Sequence, residues 1–222
     1  MLGNDLNAIN APRGTLDAET EPYMPLVKSM GSMIQQIVGN NPLSKLEISY
    51  CGNLAKKQTK LLTVSTVIGY LEGIIGEANL INALPVAKSK GIEIFESSND
   101  VAKDYAGYVD MNFTYNGITR SIRGTVIGGS PRLLSIDDYS TEITLSDKMI
   151  VLRYKDVPGV IGAVGNAIGE AGINIAHMAV GRAKGKATMF LTIDKDVPEN
   201  ILNAIASKVT DVEEIKYIKI EQ

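Results

Sequence analysis

Apolar residues recur at spacings of three and four from Pro22 to Val38, where Met24, Val27, Met30, Ile34, Ile37 and Val38 share one face. That spacing predicts an amphipathic helix, closed by Gly39-Asn40-Asn41-Pro42. From Ser44 to Gly52 the pattern becomes alternation, with Leu46, Ile48 and Tyr50 set against Lys45, Glu47 and Ser49. This predicts a strand with one wet face. Helical spacing returns over Leu61–Ile75, and Asn82–Lys90 predicts a shorter helix ended by Gly91. Ile92, Ile94 and Phe95 mark a second strand. Asp104–Asn116 and Ile118–Ile127 predict two strands joined by Asn116-Gly117, residues that accept the two positive φ angles of a tight hairpin. Gly128-Gly129-Ser130-Pro131 reads as a loop. Arg132–Ile136 and Tyr139–Leu145 then flank a turn at Asp137-Asp138.

The pattern over Val151–Met178 reads strand, turn, helix, turn, strand. The first strand, with Leu152 and Tyr154, stops at Lys155-Asp156, and Pro158 suits the first helical position. Val160, Ile161, Val164, Ala167, Ile168 and Ala171 form one apolar helix face, and Gly172 ends the helix. Gly159, Gly162, Gly165 and Gly169 are spaced to permit close helix–sheet packing. A strand through Gly181, a turn at Ala183-Lys184-Gly185, a strand Ala187–Ile193, a helix from Val197-Pro198-Glu199 to Ser207 and a strand Val212–Ile220 complete the chain. The order β-α-β-β-α-β predicts a four-stranded antiparallel sheet with both helices on one face, the ferredoxin-like plan. The chain thus divides into a linker over 1–21, an α+β domain over 22–146 and a ferredoxin-like domain over 147–222. Exposed strand edges in the last domain favour side-by-side pairing of two copies.

Composition narrows the function. Of 222 residues, 45% are hydrophobic and 21% charged, with net charge −3. That is the balance of a soluble globular protein. No basic patch points to nucleic acid, no apolar run reaches the roughly 20 residues that span a membrane, and no signal peptide is visible at the polar start. The single Cys51 excludes an internal disulfide or a multi-cysteine metal site. Together these features favour the cytoplasm.

The candidate chemistry lies at the turns. The Asp156 carboxylate can cap the first N–H groups of the following helix, or those N–H groups can hold the carboxylate of a small ligand. The Asn174 amide both donates and accepts, so it can read the amino and carboxyl groups of a free amino acid. A βαβ unit is expected to set it beside the turn after the first strand. Both residues can equally be local cap and turn residues. Arg120, Arg123 and Arg132, beside the Gly128-Gly129 loop, can bind a phosphate or carboxylate, or can simply form a solvated strand face. His177 has no carboxylate spaced to orient it and reads as a structural or rim residue. There is no G-x-G-x-x-G turn for NAD and no catalytic constellation.

Asp156-Val157-Pro158-Gly159 with Gly172-Ile173-Asn174-Ile175 resembles the ACT domain, an amino-acid-sensing module. The resemblance implies an effector pocket where two such domains meet, made of Tyr154, Asp156, Val160, Ile161 and Asn174. Gly-Thr-Val-Ile-Gly-Gly-Ser-Pro-Arg (124–132) with Ile136-Asp137, the run Leu80–Ile92, and Asn7-Ala8-Ile9-Asn10-Ala11-Pro12 resemble the intervening, anion-binding domain and entry link of long-form D-3-phosphoglycerate dehydrogenases. The resemblance implies the regulatory part of such an enzyme. It would bind L-serine or another small amino acid for feedback inhibition, with a phosphate-type anion as a further ligand, and form a homodimer or tetramer. It would need no cofactor of its own, NAD belonging to the catalytic part of the full-length relative. Two alternatives remain: an ACT-containing β component of an iron–sulfur L-serine dehydratase, and a pure oligomerisation module.

Overall fold

The structure, a computed structural model, describes residues 17–220. The Asn7–Pro12 segment and most of the expected linker lie outside the described residues. The described chain divides into two compact units, one up to Pro131 and one from Arg132 onward.

The first unit begins with α1 (Tyr23–Val38), β1 (Leu43–Gly52), α2 (Lys60–Ile75) and α3 (Ala83–Ser89). The strands β2 (Glu93–Asn99), β3 (Gly107–Tyr115) and β4 (Ile118–Ile127) follow. Its strands are ordered β2-β1-β3-β4, with β1 and β2 parallel and the other pairs antiparallel. Leu46, Ile48 and Tyr50 of β1, Val109, Met111 and Phe113 of β3, and Ile122 of β4 are all buried and fall on one face by register. The predicted β3–β4 hairpin is present, with Asn116 at φ 50° and Gly117 at φ 74°. The helices α1 and α2 cross closely at two glycines. A Cβ on Gly31 would lie 2.0 Å from the Thr66 carbonyl oxygen, and one on Gly69 would lie 2.0 Å from that of Lys28. Close backbone approach of this kind excludes any side chain.

The second unit opens within β5 (Ser130–Ile136), which pairs with β6 (Tyr139–Thr144) as a hairpin. The Gly-Gly loop is thus shorter than expected. Gly128 and Gly129 alone make the turn, both at positive φ, and Ser130 and Pro131 are already strand. β7 (Lys148–Lys155), α4 (Val160–Glu170), β8 (Ile175–Ala183), β9 (Lys186–Ile193), α5 (Glu199–Ser207) and β10 (Val212–Lys219) follow. The last four strands form an antiparallel sheet ordered β10-β7-β9-β8. Ile150, Leu152 and Tyr154 of β7 and Ala187, Met189 and Leu191 of β9 share a core with Val164 and Ile168 of α4 and Ile205 of α5. Alternate positions on each strand supply that core, so both helices pack on one face. This is the predicted ferredoxin-like plan.

The opposite face meets the β5–β6 hairpin. A Cβ on Gly181 would lie 2.4 Å from the Ser140 carbonyl oxygen. Arg153 pairs with Asp137 at the hairpin turn, and its guanidinium sits 5.0 Å from the Tyr139 ring centre. Lys184 holds Asp138 at 2.7 Å.

Two expectations for α4 need correction. The helix begins at Val160, not Pro158, because Gly159 takes φ 91°, which a right-handed helix cannot contain. Gly162, Gly165 and Gly169 do not mediate helix–sheet packing, since a Cβ on any of them meets nothing within 4 Å. No helix among the described residues is long and apolar enough to cross a membrane.

Opposite effects are therefore expected from two glycine replacements. Gly165→Ala, in open space within a helix, should raise unfolding stability by about 0.5–1 kcal/mol. Gly181→Ala should lower it by about 1–3 kcal/mol through overpacking against β6. Urea denaturation of each variant checks both, and a destabilised Gly165→Ala would contradict the open face of α4.

Candidate functional site

Asp156 stands at the end of β7, where the chain turns into α4. Its backbone N–H donates to the Gly185 carbonyl at 3.1 Å, tying it to the β8–β9 turn. Its side chain does not cap the helix, because α4 has no side-chain cap. Instead, Arg182 Nε donates to both carboxylate oxygens, at 3.1 and 3.3 Å. The capping reading is corrected by a residue 26 positions away. This pair is half-open to solvent, where such pairs contribute between nothing and about 1 kcal/mol. It is cheap to rearrange.

Tyr154, Ala187 and Arg182 lie in one row across β7, β9 and β8, on the helix-bearing face. Tyr154 and Val160 are buried in the core, and Ile161 is 47% exposed. Burial pushes the Tyr154 hydroxyl's pKa up, Asp156 adds to the rise, and Arg182 opposes it.

Asn174 precedes β8. Its backbone N–H and its side-chain amide donate to the two oxygens of Asp194, at 2.9 and 2.8 Å. These bonds hold the Asp194 carboxyl below the usual range, the backbone bond first. Nearby, Lys195 Nζ donates to the Gly172 carbonyl at 2.6 Å.

The expected neighbourhood of Asn174 and Asp156 is not formed within one copy. β7 and β8 both run antiparallel to β9, so they run parallel to each other. Met149 aligns with Thr192 and His177 at one end, and Lys155 with Lys186 and Ala183 at the other. Asn174 therefore lies at the end where β7 starts, and Asp156 at the end where it finishes. The eight residues of β7 separate them by about 25 Å along the strand direction. A helical crossover between parallel strands must carry the chain back to the starting end. Tyr154, Asp156, Val160 and Ile161 share one end, and Asn174 the other.

The arginine expectation is corrected as well. Arg120 is in register with buried Phe113, whereas Arg123 is in register with Asp110 on the other face. Side chains on opposite faces of one strand cannot converge on one anion. Arg123 is already paired with Asp110 at 2.5 Å and stacks 4.8 Å from the Tyr108 ring centre. Arg132 belongs to the second unit, and its Nε is buried without a hydrogen-bond partner. His177 is exposed on β8. No cluster of three or more His, Cys, Asp or Glu suited to a metal occurs among the described residues.

The profile of the D-3-phosphoglycerate dehydrogenase intervening domain matches residues 19–137, and that of the ACT domain matches residues 148–209. The chain belongs to the D-3-phosphoglycerate dehydrogenase intervening-domain family. It is 30% identical to D-3-phosphoglycerate dehydrogenase of Methanocaldococcus jannaschii, over 99% of this chain and 42% of that protein. The enzyme of Synechocystis is 28% identical over 96% of this chain and 40% of its own length. That of Archaeoglobus fulgidus is 31% identical over 96% of this chain and 42% of its own. The chain thus spans about two fifths of the length of these relatives. It corresponds to their regulatory portion, and their dehydrogenase domains lie outside the match.

Arg182 and Asp194 are the site residues that sequence reasoning missed. Each is distant in sequence from the residue it holds, and only the strand register brings them together.

Because Asp194 titrates below the ordinary carboxylate range in the folded state, its pairing stabilises the fold above that range. The contribution is lost as pH falls through the depressed pKa. Asn174→Ala removes the side-chain amide but keeps the backbone N–H, so it should raise the Asp194 pKa only part of the way to the ordinary carboxylate range. Carbon-detected NMR titration of the side-chain carboxyl reads this directly; an unchanged pKa would contradict the pairing.

Proposed function

We propose that this chain is the amino-acid-sensing, regulatory portion of a D-3-phosphoglycerate dehydrogenase acting in L-serine biosynthesis. Residues 22–146 serve as the intervening domain and residues 147–222 as the ACT domain. L-serine, the end product, binds between two ACT domains and inhibits the enzyme by feedback. The NAD-dependent chemistry belongs to the rest of the enzyme.

One observation carries this reading: the two polar residues of the ACT motif stand at opposite ends of one sheet, about 25 Å apart. Neither end alone offers both. Two copies supply both if their sheets join edge to edge, since β8 ends the sheet and its outer edge has no strand partner among the described residues. Antiparallel pairing of two β8 strands about Ala179, the middle residue of Ile175–Ala183, sets Ile175 of one copy against Ala183 of the other. Asn174 of the partner subunit then arrives beside Arg182 and Lys184, next to Asp156. Two-fold symmetry repeats the arrangement at the other end, giving two sites per pair. Ligand contacts shared by both copies bias whatever arrangement they favour, with couplings of about 1–3 kcal/mol being usual.

Calorimetric titration with L-serine, with glycine, L-alanine and L-phenylalanine as controls, tests this proposal. Saturable binding is expected for L-serine, lost in Asn174→Ala. Absence of heat from every amino acid, with a dimeric chain, would leave assembly alone as the role of the ACT sheet.

A further inference from the structure

We propose that Arg182 is the residue that receives the effector's carboxylate, beside Asp156, which takes its ammonium group. This rests on the sensing reading above and adds the chemistry that defines the ligand class.

Arg182 spends one donor on Asp156. Its Nε serves both carboxylate oxygens, at 3.1 and 3.3 Å, and no hydrogen bond to another described residue engages its terminal nitrogens. The side chain is 57% exposed. The forked end of the guanidinium, the part that matches a carboxylate in two-point geometry, is therefore open to a ligand. The other cations at this end of the sheet are occupied. Lys184 pairs with Asp138, Lys186 with Glu213 and Lys155 with Asp211.

A free α-amino acid carries an ammonium and a carboxylate on one carbon. The Asp156–Arg182 pair presents the complementary signs side by side. Laid against it, the ammonium donates to the Asp156 oxygens and the carboxylate accepts from the Arg182 terminal N–H groups. The existing Nε contact keeps the two side chains in place as the ligand arrives, so little reorganisation is needed. Arg182 also lies on β8, the edge at which the partner subunit's Asn174 is proposed to arrive. Both ligand charges are thus met from one copy, and the amide closes from the other. The class of ligand follows: a small zwitterionic α-amino acid, with both charged groups required.

The test titrates the 222-residue chain with L-serine, L-serinamide and ethanolamine, for the wild type, Arg182→Gln and Arg182→Lys. Wild type should bind L-serine at least about tenfold more tightly than either analogue without a carboxylate. Arg182→Gln should lose about tenfold or more for L-serine, leave L-serinamide unchanged and so erase the discrimination. Arg182→Lys should restore part of it. If Arg182→Gln binds L-serine as tightly as wild type or more so, Arg182 is only the resting partner of Asp156 and the inference fails alone. If wild type binds no amino acid, the sensing reading fails and this inference with it.

Discussion

The direction of a helical crossover governs this molecule's chemistry. β7 and β8 are parallel, with β9 between them, and α4 must return the chain to the end at which β7 began. The turn leaving β7 and the turn entering β8 are therefore held apart by the length of a strand. No side-chain adjustment can close a gap of about 25 Å. A motif whose two polar residues are thus separated serves one small ligand only when a second copy presents the other end.

The ends differ in how they are held. At the Asn174 end, the amide and backbone of one residue satisfy a single carboxylate, Asp194. At the Asp156 end, the contacts continue beyond the turn. The Asp156 N–H reaches Gly185, the neighbouring Lys184 reaches Asp138, and Asp137 is held by Arg153 against the Tyr139 ring. These separate hydrogen bonds and ion pairs, linked by the backbone between them, tie the β7–α4 turn to the β5–β6 hairpin. Gly181 lets β6 cross the sheet at backbone distance, so the hairpin is seated by packing as well as by charge.

The local features were legible in the sequence. The alternation of Leu46, Ile48 and Tyr50 and the helical spacing of α1 depend on period alone. Asn116-Gly117 announced its hairpin through the φ angles those residues accept. Features set by long-range register are not legible locally. Asp156 looks like a cap until strand register brings Arg182 to it, and Asn174 looks adjacent to Asp156 until the direction of β8 is fixed. The glycines of α4 suggested close packing, yet the close crossing belongs to Gly31 and Gly69 of α1 and α2. Spacing cannot say which glycine faces a neighbour. Arg120 and Arg123, three apart in a strand, alternate to opposite faces, which the periodicity of two already dictates once the segment is read as a strand.

The central claim, that each effector site combines Asp156 of one copy with Asn174 of another, is tested most directly by complementation between two inactive variants. Asp156→Asn and Asn174→Ala chains are unfolded together, refolded as a mixture and titrated with L-serine. Each variant alone should bind none. A mixed pair holds one site with both residues intact and one with neither, so serine binding should reappear at one site per mixed pair. If the mixture binds no more serine than the separate variants, although mixed pairs are shown to form, the two residues do not share a site between copies, and the account is contradicted.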